Sequence, residues 1–363
     1  MPRPPAGRSH PAARLRNNFP IRLFFKMRRA EDDAMIRSIA IVAVTLAATA
    51  VATADTRVNY FPVTSNSRPH DVAPAPDGSV YYTGQVKGYL GRLDPKTGKD
   101  ENIPIGSGSA PHGVVVAPDG AAWITDGGLN ANARFDPKTR KFDYFMLPPH
   151  LPAANLNTGV FDKDGVYWFT GQNGVHGYVN PKTGKHESWK SPRRGTYGIT
   201  VTPDNDVWYV ALAGDHLGKI DKTTGNVSIV EPHKKGTGPR RIWSDSKGVL
   251  WVSFWHSGEV GRYDPAAKTW KTWLLPGNPG SGCYAVHVDE QDKVWLTDFM
   301  TNAIVRFDPV TENSRPSPAA GAAHKCARCS AVPASSGARN PATTGWCKLS
   351  IDPARAAGRS DLC

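Results

Sequence analysis

The sequence predicts an all-β propeller of four-stranded blades, because three short motifs recur in a fixed order about every 43 residues. The first motif is an aromatic, an apolar and a small residue in succession, as in Trp123-Ile124-Thr125. The second is a strand that ends in an Asp-Pro or Asn-Pro turn, and the third is a short amphipathic strand after that turn. Between the motifs, apolar residues alternate with the period of two that is typical of strands, and no helical period of useful length occurs.

The first motif occurs six times, which predicts six intact repeats. Four short strands per repeat make one propeller blade, so we expect the aromatic residue of the motif to pack between neighbouring blades. The Pro-Asp-Gly and Asp-Pro-Lys-Thr-Gly segments are interpreted as hairpin turns. The copies of the motif are Tyr81-Tyr82-Thr83, Trp123-Ile124-Thr125, Trp168-Phe169-Thr170, Trp208-Tyr209-Val210, Trp251-Val252-Ser253 and Trp295-Leu296-Thr297.

The closure of the ring is open between two alternatives. Residues 57–63 resemble a third-motif strand and precede the first repeat, so we predict an outermost strand that arrives before its own blade. Either the ring has six blades and this strand completes the sixth sheet, which would remove exposed edges, or a seventh blade follows Thr311.

The chain is predicted to have three parts: an N-terminal extension with a signal peptide (1–54), the propeller (55–311) and an atypical tail (312–363). Arg37, an apolar run over 39–50 and Ala52-Thr53-Ala54 form the pattern of a secretory signal, so we predict cleavage after Ala54 and a periplasmic or secreted protein. The apolar run is shorter than the roughly 20 residues that span a bilayer, which argues against a permanent membrane anchor.

The tail differs abruptly in composition from the repeats. It holds four of the five cysteines and none of the three motifs, and we expect it to be disordered. A zinc site is an alternative, although only one Cys-x-x-Cys pair is present where zinc ribbons repeat it. A former seventh blade read in a shifted frame is the preferred interpretation. The candidate zinc ligands are His324, Cys326, Cys329, Cys347 and Cys363.

The charge distribution argues against nucleic-acid binding. The whole chain has a net charge of +12, but residues 55–311 hold 28 Lys and Arg against 26 Asp and Glu. A protein that binds polyphosphate usually concentrates basic residues on one face. We therefore expect no nucleic-acid partner. The expected partner is a small molecule, and the chain is expected to be a monomer.

One equivalent position, at the start of each inner strand, places polar or aromatic side chains near the axis. Arginine there suits planar anions, and histidine is a possible base, so this set predicts a ligand site in which Tyr197, Arg240 and Tyr284 bind the substrate. The alternative is that these side chains bond one another and cap the inner strands. The position carries His70, His112, Thr158, Tyr197, Arg240 and Tyr284. Six further repeat histidines are interpreted as loop or surface residues: His150, His176, His186, His216, His233 and His256.

The repeat resembles the virginiamycin B lyase (streptogramin lyase) family of seven-bladed propellers, across about residues 57–311. The resemblance is clearest from Pro111-His112-Gly113-Val114 through Asp126. It implies that a cyclic depsipeptide is opened by elimination at its ester, with a divalent metal, usually Mg²⁺.

The resemblance also implies residue roles. It carries the base role to His112, with His70 in the related Pro-His-Asp, and it makes Asp126 and Asp298 candidate metal ligands. The sequence departs from the family motif at Ala110, where the family places Glu.

These observations give one leading hypothesis and two alternatives. The leading one is an exported virginiamycin B lyase-like propeller that binds a small molecule in its axial channel and opens a cyclic ester by metal-assisted elimination. The second is a non-catalytic scaffold that binds a protein or glycan across the propeller face. The third is a lactone hydrolase of the gluconolactonase kind, which needs a Glu/Asn/Asp metal cluster that the sequence does not assemble.

Overall fold

The strands follow the predicted repeat. The computed structural model describes residues 59–151, 153–277, 282–318 and 347–350. Within these residues the strands form six four-stranded antiparallel sheets and one two-stranded sheet, and in each four-stranded sheet the strands lie side by side in chain order. In the same part of the chain, no helix has the length and apolar character needed to cross a membrane.

The first three blades contain twelve strands. Blade 1 consists of β2 (Pro69–Pro74), β3 (Val80–Gly84), β4 (Tyr89–Leu93) and β5 (Asp100–Pro104). Blade 2 consists of β6 (Pro111–Val116), β7 (Ala122–Asp126), β8 (Ala131–Asp136) and β9 (Lys141–Met146). Blade 3 consists of β10 (Leu156–Phe161), β11 (Tyr167–Gly171), β12 (Val175–Val179) and β13 (His186–Lys190).

The last three blades repeat the arrangement. Blade 4 consists of β14 (Thr196–Val201), β15 (Val207–Ala211), β16 (His216–Ile220) and β17 (Val227–Val230). Blade 5 consists of β18 (Pro239–Ser244), β19 (Leu250–Phe254), β20 (Glu259–Asp264) and β21 (Thr269–Leu274). Blade 6 consists of β22 (Cys283–Val288), β23 (Val294–Asp298), β24 (Ala303–Asp308) and β25 (Asn313–Pro318).

The Asp-Pro segments form the predicted hairpin turns. In blade 1 the Asp94 carboxylate accepts the backbone N–H of Lys96 at 2.8 Å, and the Asp94 carbonyl accepts that of Gly98 at 2.8 Å. Gly98 has a φ of 73°, which a residue without a side chain adopts at little cost. The aspartate therefore closes the turn between the third and fourth strands.

The aromatic residue of the first motif packs between blades, as predicted. Trp123 of β7 is fully buried and lies 4.9 Å, centroid to centroid, from Tyr167 of β11 in the next blade. Trp251 of β19 is buried in the same way among the apolar residues of blade 6. Each such cluster joins two consecutive sheets, so the core of the propeller lies between the blades.

The small residue of the same motif links consecutive blades through its hydroxyl group. Thr125 Oγ1 accepts the N–H of Gly113 in its own blade at 2.8 Å and donates to the Asn157 carbonyl of the next blade at 2.7 Å. Thr83 makes the same two bonds to Asp71 and His112. Ser253 makes them to Arg241 and Tyr284. A buried hydroxyl with both partners satisfied fixes one inner strand against the next.

The ends of the described chain correct two expectations. Blade 6 has four strands of its own and extends to Pro318, beyond the boundary predicted at residue 311. The strand before blade 1, β1 (Asn59–Pro62), therefore does not complete the sixth sheet; it pairs in parallel with β26 (Cys347–Ser350). Phe61 and Val63 pack against the apolar cluster of blade 1. The predicted signal peptide, its cleavage site and the proposed zinc ligands lie outside the described residues, apart from the backbone of Cys347.

We expect Thr125→Val to destabilise the propeller, because valine keeps the shape of threonine but leaves a buried carbonyl and a buried N–H without their hydroxyl partner. The expected loss in unfolding free energy is about 1–3 kcal/mol, measured by urea denaturation. Val210 occupies the equivalent position in blade 4, so the fold accommodates valine there. Thr139→Val, in an exposed turn, is the matched control, and equal effects of the two changes would contradict the interblade role.

Candidate functional site

The inner strands β2, β6, β10, β14, β18 and β22 all begin at one end of the propeller. Their register with the second strands defines equivalent positions: Val115 pairs with Trp123 in blade 2, and Val160 pairs with Trp168 in blade 3. In each blade, the inner-strand residue three positions before the one that pairs with the first-motif aromatic belongs to a set that we call the first ring. The first ring consists of His70, His112, Asn157, Tyr197, Arg240 and Tyr284.

This register corrects one sequence assignment. Asn157, and not Thr158, occupies the first ring in blade 3. The register of every inner strand shifts at this point, as in a β-bulge between Leu156 and Gly159. Bulges of this kind re-aim side chains and occur next to binding sites. The sequence itself contains the signal for this residue: the first-ring residue lies eleven positions before the first-motif aromatic in every blade, which gives Asn157 in blade 3.

The first ring brings together the five predicted site residues His70, His112, Tyr197, Arg240 and Tyr284. The rings of His70 and His112 lie 3.6 Å apart between centroids, and His112 lies 6.1 Å from Tyr197. The hydroxyls of Tyr197 and Tyr284 are 3.4 Å apart, and Tyr284 Oη is 3.3 Å from His70 Nε2. All five side chains are buried, with exposed fractions between 1% and 7%. Residues from five different blades therefore form one contiguous cluster.

A second ring, one residue further along each strand, was missed in the sequence. Its members are Asp71, Gly113, Thr158, Gly198, Arg241 and Ala285. Arg241 Nη2 donates to Asp71 Oδ1 at 3.0 Å, and Arg241 Nη1 donates to Thr158 Oγ1 at 2.6 Å. A Cβ on Gly198 would lie 2.7 Å from Arg241 Cα, so only glycine leaves room for that strand. The sequence does contain a signal for the second ring: three repeats carry Gly or Ala at this position, whereas two others carry the opposite charges Asp71 and Arg241.

His70 is held by a carboxylate in one orientation. Its Nδ1 lies 2.9 Å from Asp71 Oδ1. Burial alone would raise the pKa of Asp71, but the Arg241 guanidinium and the hydrogen bond with His70 outweigh burial and hold the pKa well below its usual range. Asp71 is therefore ionised and accepts the Nδ1 proton of His70. The lone pair of Nε2 then faces the Tyr284 hydroxyl.

His112 is neutral and also has a defined tautomer. Its Nδ1 lies 2.9 Å from the Asn157 carbonyl, which can only accept, so Nδ1 carries the proton. Asn157 Nδ2 lies 3.2 Å from Nε2 and donates to its lone pair. Burial lowers the pKa of His112 well below its usual value, the Arg241 guanidinium lowers it further, and protonation of His70 would do the same.

Arg240 lies among three aromatic rings. Its Cζ is 3.9 Å from the ring centroid of Tyr284, 4.4 Å from that of Trp255 and 4.9 Å from that of Tyr197. Its Nη2 donates to the Tyr197 hydroxyl at 3.0 Å. Burial would raise the pKa of Tyr197, but the Arg240 and Arg241 guanidinium groups outweigh it and lower that pKa. The arginines thus favour negative charge on oxygen at this point.

The two rings carry an unbalanced positive charge. Arg240 and Arg241 are both charged, whereas Asp71, which pairs with Arg241, is the one carboxylate among the residues of the two rings. The Nε–H of each arginine is buried and has no hydrogen-bond partner among the residues that the structure describes. A buried donor without an acceptor is costly. The arrangement therefore favours an additional anionic oxygen.

The predicted metal ligands Asp126 and Asp298 pair with Pro111 and Cys283, directly before the first ring, and neither belongs to the group of described residues that could hold an ion. Asp126 Oδ1 accepts the backbone N–H groups of Ala110, Gly128 and Leu129, and its other oxygen accepts the Ser109 hydroxyl. Asp298 Oδ1 accepts the backbone N–H groups of Met300 and Thr301. Both carboxylates hold the loop that follows the second strand of their blade.

The donor set at the axis does not fit Mg²⁺. Among the described residues, the group able to hold an ion is His70, Asp71 and His112, whose ligand atoms lie within 4.8 Å of one another. Mg²⁺ prefers oxygen ligands in an octahedron, whereas this group offers two imidazoles and one carboxylate. That carboxylate is already paired with Arg241 and His70. The Mg²⁺ implied by the resemblance stays a prediction without a matching set of ligands.

Two histidines interpreted as surface residues are instead fully buried. His176 bonds Ser191 Oγ and the Gly225 carbonyl, both at 2.8 Å. His216 lies 3.2 Å from the Tyr209 hydroxyl and 3.1 Å from the Gly214 carbonyl. Each ring fills a space between strands with both nitrogens satisfied, which a single sequence does not reveal. His150, His186 and His256 are exposed as expected, and His233 is half-buried.

The comparisons with known proteins identify the family. The model of the virginiamycin B lyase family matches residues 99–323, more than half of the chain. The chain belongs to the virginiamycin B lyase family. A search of curated proteins found no match.

Solved structures share the fold of this family member. A virginiamycin B lyase from Staphylococcus aureus is 19% identical, with a TM-score of 0.66 over 73% of this chain and 89% of that one. A catalytically inactive variant of that lyase with quinupristin is also 19% identical, with a TM-score of 0.64 over 70% and 86% of the two chains. The hydrazine synthase of Kuenenia stuttgartiensis is 13% identical, with a TM-score of 0.56 over 71% and 80%. At these identities the likeness shows the propeller fold alone.

The neutral state of His112 predicts a pH dependence of stability. Its pKa is lowered on folding, so the unfolded chain takes up a proton near pH 6.5 that the folded chain does not, and the unfolding free energy falls as the pH drops below that value. We expect His112→Asn, which keeps a donor for the Asn157 carbonyl, to reduce this slope by up to about 1.4 kcal/mol per pH unit. Urea denaturation between pH 7.5 and 5 measures the slope.

His186→Asn is the control for this measurement, because His186 is exposed. An unchanged slope in the His112 variant, or an equal change in both, would contradict burial of neutral His112.

Proposed function

We propose that this chain is an exported lyase that binds an anionic small molecule at the two rings and opens an ester by elimination. The observation that carries the proposal is the pair of buried guanidinium groups opposed by one carboxylate, next to imidazoles in a defined tautomer. Membership in the virginiamycin B lyase family supports the reaction class. The inactive lyase variant with quinupristin supports a cyclic depsipeptide as the first substrate to test.

The elimination proceeds without water. A base removes the proton on the carbon next to a carbonyl group, and the electron pair of that C–H bond forms a carbon–carbon double bond. The adjacent C–O bond of the ester breaks, and its electron pair leaves on the carboxylate. The product has the same mass as the substrate, whereas hydrolysis of the ester adds one water.

His70 is the base that the geometry favours. Asp71 holds its Nδ1 proton, so the basic lone pair lies on Nε2, and the ionised carboxylate stabilises the imidazolium that forms. Each Nε2 has a neighbour that must move before a substrate proton is accepted: Tyr284 Oη for His70 and Asn157 Nδ2 for His112. The difference lies at Nδ1, where His112, which the family resemblance proposes, has only the Asn157 carbonyl as its partner and no carboxylate.

Arg240 and Arg241 stabilise the negative charge that the reaction develops. A fixed guanidinium in a buried site stabilises an enolate or a departing carboxylate more strongly than it would in water. The Tyr197 hydroxyl, whose pKa the arginines lower, supplies a further donor. Because no set of described residues fits Mg²⁺, no step here depends on a metal ion.

A scaffold remains the second candidate, because the ring side chains bond one another. Tyr284 contacts His70, Tyr197 contacts Arg240, and Arg241 contacts Asp71. In a scaffold these contacts only cap the inner strands. Replacing Arg240 would then lower stability and change no ligand binding.

Incubation with quinupristin tests the proposed reaction. We expect a ring-opened product of unchanged mass, detected by chromatography and fragmentation mass spectrometry, and an activity that survives EDTA. His70→Asn removes the base and Arg240→Gln removes the charge, so each is expected to lower the rate by about 10²- to 10⁴-fold.

His256→Asn, an exposed residue of a nearby loop, is the control and keeps the rate of the unmodified protein. A product heavier by one water would assign a hydrolase instead. If no product forms, and if Arg240→Gln lowers only the stability of the protein, the scaffold is favoured.

Export is a separate part of the proposal. The signal pattern before Asp55 supports cleavage after Ala54. We expect the protein, expressed from Met35 in a Gram-negative host, to accumulate in the periplasm with Asp55 as its first residue, read by N-terminal mass spectrometry. Ala54→Arg disrupts the cleavage site and is expected to retain the precursor; a cytoplasmic, uncleaved product of the unmodified chain would contradict export.

A further inference from the structure

A third set of equivalent residues surrounds the start of the inner strands. The second strand of each blade runs antiparallel to the inner strand, so it ends where the inner strand begins. The residue just after it donates its N–H to the loop before the inner strand in five blades, as Trp255 does to Gly238 at 2.8 Å and Phe299 to Gly282 at 2.8 Å. The residue at this position is half-buried in all six blades. We call them the rim: Gln85, Gly127, Gln172, Leu212, Trp255 and Phe299.

The rim is divided into two halves. Blades 1 to 3 contribute glutamine or glycine, and blades 4 to 6 contribute Leu212, Trp255 and Phe299. The first ring is divided along the same line, with two imidazoles and an amide in blades 1 to 3 and Arg240 with two tyrosines in blades 4 to 6. The apolar half of the rim therefore belongs to the blades that carry Arg240.

Contacts connect the apolar half of the rim to Arg240. The Trp255 ring lies 4.4 Å from Arg240 Cζ, 5.8 Å from the Tyr284 ring and 5.5 Å from the Phe299 ring. Phe299 stacks on Tyr284 at 6.4 Å. The neighbouring Met300 is 57% exposed. A continuous aromatic wall thus extends from the buried guanidinium to the solvent-exposed surface.

We infer that the ligand of the two rings carries an aromatic or branched aliphatic group next to its anionic oxygen, and that this group lies on Leu212, Trp255 and Phe299. The inference rests on the proposed function, because it assumes that Arg240 binds the anionic oxygen. These three side chains are half-buried, and a partly exposed apolar surface beside a polar site is typical of a ligand contact. A small hydrophilic anion would satisfy Arg240 but leave this wall uncovered.

Three probes of graded chemistry test the inference: 3-phenylpropionate, propionate and the neutral 3-phenylpropionamide. Isothermal titration calorimetry or ligand-observed NMR on the full chain measures each affinity. We expect 3-phenylpropionate to bind about tenfold tighter than propionate, because only it covers the aromatic wall, and the amide to bind more weakly than the acid.

Variants separate the apolar contact from the charge. Trp255→Ala and Phe299→Ala are each expected to lower the affinity for 3-phenylpropionate until it is close to the affinity for propionate. Trp255→Phe is expected to preserve most of the difference between the two affinities. Leu274→Ala removes an exposed apolar side chain from an outermost strand and is the control. The ratio of the two affinities does not depend on the fraction of folded protein, so it stays informative if a variant is less stable.

The outcomes distinguish this inference from the proposed function. Equal affinities for 3-phenylpropionate and propionate, both lost in Arg240→Gln, would overturn the apolar contact and leave the anion site intact. Gln172→Ala that lowers the ratio as much as Trp255→Ala would also overturn it. If neither acid binds, or if the amide binds as tightly as 3-phenylpropionate, the anion site itself is overturned.

Discussion

The hydroxyl that bridges consecutive blades is the interaction on which the site depends. Thr83, Thr125 and Ser253 each hold an N–H in the second ring of their own blade and a carbonyl of the first ring in the next. These bonds are made at the bulge, where the inner strand would otherwise be free to shift its register. The interblade aromatic residues supply most of the apolar burial, but they are not positioned to fix the rotation of a first-ring residue. The hydroxyls determine where His112, Asn157 and Tyr284 stand, and hence which side chains meet at the axis.

Given those positions, the two rings form a directed series of contacts from one charge to another. Arg240 donates to the Tyr197 oxygen, the Tyr197 and Tyr284 hydroxyls lie 3.4 Å apart, and the Tyr284 hydroxyl lies 3.3 Å from His70 Nε2. His70 donates its Nδ1 proton to Asp71, which Arg241 holds in the ionised form. Each member orients the next, because hydrogen bonds in a buried series polarise one another. A proton accepted at His70 can thus be stabilised at Asp71 while the negative charge that it leaves behind is stabilised at Arg240.

The sequence predicted the fold and five members of the first ring, because period, turn chemistry and strand order all follow from local residue patterns. One first-ring assignment is a residue too late, because the constant spacing of eleven residues before the first-motif aromatic indicates Asn157 and not Thr158. The other failures occur where the answer depends on contacts between blades. Asp71 and Arg241 were missed because their partners lie in other blades, and two opposite charges far apart in sequence do not indicate that they meet. Asp126 could be a metal ligand or a loop cap from its position alone, and its four donors favour the cap.

The electrostatics of the rings also bear on which ligands the axis can accept. A divalent cation placed beside His70 and His112 would lie close to Arg241 and would compete with it for the single carboxylate of Asp71. Burial strengthens that repulsion, because few water molecules are present to screen it. An anionic oxygen meets the opposite situation: it relieves two Nε–H groups that lack acceptors and balances the excess guanidinium. The Arg241 guanidinium likewise opposes protonation of buried His112, since a protonated imidazole would add another positive charge to the cluster. A neutral imidazole can accept a proton while the fixed guanidinium groups beside it stabilise an anion, and the proposed elimination uses this combination.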